Sequence, residues 1–175
     1  MHFFTIVLAR VNKTNGHSFD DILDVAEELL ARFHGGECFL DNAHRNPTSK
    51  FGRWFRKNWK SSQFIAYYLG WRWNGVVTGE YRPMGLSSDE SQRELLWEER
   101  CRRNITPAPS YLSVLDVDDD AFPCAIVTPD ARWIETESQA GIDGDPLLRS
   151  KWRGHVRRIL ADHSDCYVVG FDCKV

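Results

Sequence analysis

His2-Phe3-Phe4-Thr5-Ile6-Val7-Leu8-Ala9-Arg10-Val11 is the stretch from which the fold is read. Its Phe, Ile, Val and Leu content predicts a buried first strand. Asn12 to Gly16 supplies a turn. Ser18 then caps a helix, with Asp21 three positions on as a short form of the capping-box acid. Ile22, Val25, Ala26, Leu29, Leu30 and Phe33 fall on one face of that helix, and Gly35-Gly36 stops it. The end of the chain mirrors the start. Asp145 before Pro146 opens a second helix, whose buried face runs through Leu148, Trp152, Val156, Ile159 and Leu160, and Cys166 to Cys173 reads as a closing strand.

Between these ends the pattern predicts shorter elements. Tyr67, Leu69, Trp71 and Trp73 share one parity ahead of Asn74-Gly75, which indicates a hairpin over residues 64–81. Ser87 with Glu90 opens a charged helix to about Arg103, with a narrow apolar face at Leu95, Leu96 and Trp97. Pro107 and Pro109 precede an expected strand over Tyr111 to Val117. Ala125 to Thr128 and Arg132 to Thr136 form two strands around a Pro129-Asp130 turn. The expectation is an α+β fold: one domain over residues 1–175, a sandwich with a mainly antiparallel sheet packed by two main helices. Residues 37–63 lack a clean period and read as a loop-rich excursion with one helical turn around Phe51 to Trp59.

Charge is distributed unevenly over this plan. The 175 residues carry 22 basic and 25 acidic side chains, a net charge of −3. Between Asp41 and Glu80 lie 38 residues without a carboxylate, holding Arg45, Lys50, Arg53, Arg56, Lys57, Lys60 and Arg72. That segment is +7, so the other 137 residues sum to −10. The same 38 positions hold 9 of the 22 aromatics, where an even spread would place ~5. Cations neutralise phosphate and rings stack on bases, so the segment suits a nucleotide or single-stranded nucleic acid. The candidate contacts are Arg53, Trp54, Arg56, Lys57, Trp59, Lys60, Tyr68, Trp71, Arg72 and Trp73. Core packing of the rings under snorkelling cations is the competing reading of the same residues.

Other chemistry is thinly represented. No nucleophile elbow, P-loop or dinucleotide glycine pattern occurs, so no catalytic residue and no cofactor is assigned. His34, Glu37, Asp41 and His44 have ligand-type side chains at a spacing that matches no coordination geometry, and no metal site is assigned. The acidic run Asp116, Asp118, Asp119 and Asp120 lacks the ligand spacing and glycine of a calcium loop. The five cysteines form no C-x-x-C pair, which fits a reducing cytosol. Cys166 and Cys173 differ in parity and are expected on opposite faces of the last strand. No apolar run approaches the ~20 residues of a membrane span, and no export signal is read.

Three blocks carry a resemblance: His2 to Val7; Tyr67-Tyr68-Leu69-Gly70-Trp71-Arg72-Trp73-Asn74-Gly75; and Ala125 to Trp133 together with Gly170 to Val175. Together they resemble a family of small tailed-bacteriophage proteins with a central Ile-Gly-Gly-Arg-Trp-x-Gly, a later Val-Thr-Pro-Asp-Gly-x-Trp and a Val-Asp-Cys-His-Ile terminus. Here Leu69, Trp71, Ala131 and Lys174 depart from that pattern, and no Trp-Gly pair stands near Gln139 to Ile142. The resemblance implies a phage accessory protein in the cytoplasm of an infected bacterium. Joined to the charge map, it suggests a counter-defence binding protein that captures a nucleotide-type signal or blocks a nucleic-acid-directed host defence enzyme. The alternatives are a metal-dependent phosphodiesterase or nuclease using His34, Glu37, Asp41 and His44, and an acidic nucleic-acid mimic acting through Asp116 to Asp120.

Overall fold

The computed structural model of the protein describes residues 2–12, 17–33, 66–81, 90–136 and 145–174. Two strands of eight residues organise it. β1 (His2–Ala9) is buried from Phe3 to Ala9, and β6 (Tyr167–Lys174) from Val168 to Cys173. A strand buried on both faces needs apolar side chains at both parities, which is why neither segment alternates with polar residues. The two pair antiparallel along their whole length, from His2 opposite Lys174 to Ala9 opposite Tyr167.

The remaining strands attach to this pair. β2 (Ala66–Leu69) and β3 (Ile105–Pro107) lie end to end along the outer edge of β6, both antiparallel to it. β4 (Ala125–Val127) joins the other edge of β1 in parallel, and β5 (Trp133–Glu135) closes that side antiparallel to β4. The order is β2-β6-β1-β4-β5. The α+β class is therefore present, but the sheet is mixed rather than mainly antiparallel. The parallel pair arises because β1 and β4 are joined through all the intervening elements, not by a hairpin.

Helices cover both faces. α1 (Phe19–Leu30) begins with the expected box: the Ser18 side chain accepts from the Asp21 amide while the Asp21 carboxylate accepts from the Ser18 amide. It buries Ile22, Leu23, Ala26, Leu29 and Leu30 against Phe3, Val7, Val127, Val169 and Phe171. α2 (Glu90–Asn104) adds Cys101 to the same core. On the opposite face, α3 (Ala108–Leu115) and α4 (Pro146–Asp162) pack on Phe4, Ile6, Leu8, Ile126 and Val168. Each fully buried aliphatic or Phe side chain contributes ~1.5–3 kcal/mol, so these two layers dominate stability. Cys173 enters the first core and Cys166 the second, on opposite faces as their parity requires.

Two local expectations are corrected. Residues 66–81 form no hairpin: Gly70 (φ +69°) ends β2, and the chain then coils through short 3-10 turns at Trp71–Trp73 and Val76–Thr78. The cause is Asn104, buried at the end of α2. Its amide nitrogen donates to Asn74 Oδ1 (2.6 Å) and the Arg100 carbonyl (2.8 Å), and its Oδ1 accepts from the Gly75 amide (3.1 Å). Asn74-Gly75 is thus stapled to a helix rather than free to reverse a ribbon. A Cβ at Gly70 would also meet Asn104 Nδ2 at 2.4 Å.

The strand expected over Tyr111 to Val117 is helix α3 instead. Ala108, Tyr111 and Leu115 are its buried residues, a spacing of three and four, and Pro109 sits in the first turn where no amide bond is lost. The loop-rich reading of residues 37–63 and the Ser87 cap lie outside the described residues.

The β4–β5 turn forms at Pro129-Asp130 as expected. Thr128 Oγ1 donates to Asp130 Oδ1 (2.6 Å), and Arg132 Nε donates to Asp130 Oδ2 (2.7 Å). The Thr128 bond, assisted by Arg132, holds the Asp130 carboxyl below its usual range. Ala131 then adopts φ +57°, a left-handed conformation in which glycine is at home. Ala131→Gly is accordingly expected to stabilise the protein by about 1 kcal/mol in urea unfolding. Asn104→Ala should destabilise it by roughly 2–3 kcal/mol, because the buried Asn74 side chain and Gly75 amide lose their partner.

Candidate anion-binding site

Of the ten candidate contacts, Arg53, Trp54, Arg56, Lys57, Trp59 and Lys60 lie outside the described residues, as do His34, Glu37, Asp41 and His44. Trp71 belongs to the turn after β2, and its side chain is likewise not described. The other three gather around one carboxylate. Tyr68 is half-buried and stands on β2 directly opposite Asp172 of β6, which on its other side is paired with Phe4 of β1. Trp73 stacks on the Phe4 ring at 5.9 Å with planes 19° apart, so its face serves packing. Arg72 is exposed beside them.

Asp172 is fully buried in this row. Its Oδ1 lies 2.9 Å from His2 Nδ1, while its Oδ2 has no hydrogen-bond partner among the described residues. Burial pushes the carboxyl above its ordinary range, and His2 and Arg72 offset this only in part. An acid whose folded pKa is raised contributes stability that is full below the unfolded pKa and is lost as pH rises through the folded value. Asp172→Asn removes that loss. The variant should melt higher than the parent near pH 8, and the gap should close toward pH 4; equal melting across this range would contradict the assignment.

A second cationic surface escaped the sequence reading. From Pro146 to Ala161 there are five basic residues, Arg149, Lys151, Arg153, Arg157 and Arg158, and no carboxylate. Together with the seven in the central segment, this leaves 10 basic and 25 acidic side chains, −15, in the rest of the chain. The residues of α4 sort by angle. Trp152, Val156, Ile159 and Leu160 are buried. Arg149, Arg153 and Arg157 follow one another at four-residue steps along the flank, and Pro146, Ser150 and Gly154 form a low row on the outer side. These six residues line an open trough.

The trough has a firm base. Trp152 Nε1 donates to the Pro123 carbonyl (2.7 Å), pinning the segment before β4 beneath the helix. The guanidinium carbons of Arg153 and Arg157 then sit 5.1 and 5.0 Å from the centroid of the adjacent Phe122 ring. Arg157 Nη2 also donates to the Leu115 carbonyl (2.7 Å) and lies 3.2 Å from Asp116 Oδ1. Cation–π contacts and carbonyl bonds orient guanidinium groups while leaving their net positive charge in place. Periodic arginine at i, i+4 and i+8 in a stretch without acids was the signal available in the sequence.

The remaining chemistry is sparse. No group of three or more His, Cys, Asp or Glu side chains among the described residues is placed to hold a metal ion. Burial pushes the Cys166 thiol up to about 11 and the Cys173 thiol higher still, so neither is a ready nucleophile. In the acidic run, Asp116 pairs with Arg157, and Asp118 caps the turn at Asp119–Ala121 by accepting from the Asp120 amide. No described helix is long and apolar enough to cross a membrane. No family model matches the chain, and neither curated proteins nor solved structures give a match.

Proposed function

We propose that the protein binds a phosphate-bearing anion of the nucleotide or nucleic-acid type, and that the arginine flank of α4 is one of its contact surfaces. The observation that carries this reading is the row Arg149, Arg153 and Arg157 over an open trough, with two of its heads oriented by Phe122. The +7 aromatic segment supports the same class of ligand from the sequence side. The resemblance to phage proteins supplies the setting: a counter-defence factor in the cytoplasm of an infected bacterium, capturing a nucleotide-type signal or blocking a nucleic-acid-directed defence enzyme. The layers of helix on the two sheet faces fit a sandwich that displays the arginine flank of α4.

The test is fluorescence anisotropy against labelled oligonucleotides and a panel of linear and cyclic nucleotides. Charge-assisted hydrogen bonds are worth ~1.5–3 kcal/mol each, so Arg149→Gln/Arg153→Gln should weaken binding by at least about tenfold. Arg132→Gln, a change on the β4–β5 turn, should stay within about twofold of the parent. Absence of binding to every member of the panel at micromolar protein would sink the reading.

A further inference from the structure

We infer that the outer face of α4 seats an extended nucleic-acid strand, with phosphates on Arg149, Arg153 and Arg157 and the sugar-phosphate backbone lying against Gly154 and Ser150. This rests on the anion-binding reading above and specifies its ligand. The first support is spacing. Four-residue steps on a helix place the arginine stems ~6 Å apart, so the row extends over ~12 Å. Successive phosphates of an extended strand are separated on that scale by an intervening sugar. The phosphates of one nucleoside triphosphate share bridging oxygens and crowd within a single step, which leaves most of the row unused.

The second support is Gly154. Glycine is the least favourable helix residue after proline, and this one lies well inside a helix of 17 residues. Packing does not require it: a Cβ built there meets no atom within 4 Å among the described residues. Its position, two residues from both Trp152 and Val156, turns it ~160–200° away from the buried face. Exposed and flanked by the arginine row, it leaves the helix backbone bare on the floor of the trough. A strand drawn close by the arginines gives this position a use that the fold itself does not. Orientation adds to this, because guanidinium groups already held by Phe122 and Leu115 lose less freedom on binding.

The experiment compares the parent with Gly154→Ala, Gly154→Leu and Arg149→Gln/Arg153→Gln, using an oligothymidylate of about twelve nucleotides and ATP as probes, with thermal melts alongside. Gly154→Ala should raise the melting midpoint through helix propensity and yet weaken the oligothymidylate by at least about fivefold. Gly154→Leu should weaken it further, and the parent should hold the oligothymidylate more tightly than ATP. Oligothymidylate binding that falls in the arginine variant but is unchanged in both glycine variants overturns the strand seat and leaves anion binding standing. ATP bound as tightly as the oligothymidylate also overturns the strand seat alone. Failure of the parent to bind the oligothymidylate overturns the strand seat, and failure to bind any member of the nucleotide panel as well overturns the anion-binding reading.

Discussion

The antiparallel pairing of β1 with β6 is the constraint on which the rest of the structure depends. It joins the two ends of the described chain through eight consecutive residue pairs. Both strands are buried on both faces, so a helix layer is required on each side of the sheet. α1 and α2 meet one requirement, α3 and α4 the other. β2 and β3 then share the single remaining edge of β6, and β4 takes the remaining edge of β1. The arginine trough follows from this arrangement: α4 must bury Trp152, Val156 and Leu160, which turns Arg149, Arg153, Arg157 and Gly154 to its flank and outer side.

Elements whose own residues determine them were legible in the sequence. The Ser18–Asp21 box, the Asp145-Pro146 helix start and the Pro129-Asp130 turn are local arrangements of hydroxyl, carboxylate and ring, and each is present as read. Misreadings occurred where a distant residue decides. Asn74-Gly75 has hairpin chemistry, but Asn104, thirty residues on, captures Asn74 and the Gly75 amide. Tyr111 to Val117 is a short, largely apolar run behind two prolines, and the helical burial of Tyr111 and Leu115 is fixed by packing with α4 and the sheet face beneath it. The parallel β1–β4 pair had no local signature at all.

The candidate site was legible only in its chemistry. A segment rich in Arg, Lys and Trp suggested anion binding, and the described part of it shows how position sorts the residues: Trp73 packs on Phe4, and Arg72 remains exposed. The clearer cationic surface lay in a helix whose apolar face attracted the reading. With both basic stretches set apart, the remaining chain carries −15. On the proposed reading, such an acidic remainder disfavours indiscriminate adhesion to nucleic acid and confines attraction to the two basic stretches of sequence.

The salt dependence of oligonucleotide association tests this account most directly. Single strands release ~0.7 counterions for each phosphate neutralised, so the three arginines of α4 contribute about −2 to the slope of log affinity against log salt. Neutralising Arg149 and Arg153 together should reduce the parent slope by ~1.4. A parent affinity independent of salt, or a slope unchanged in that variant, would contradict the assignment of α4 as the phosphate-binding face.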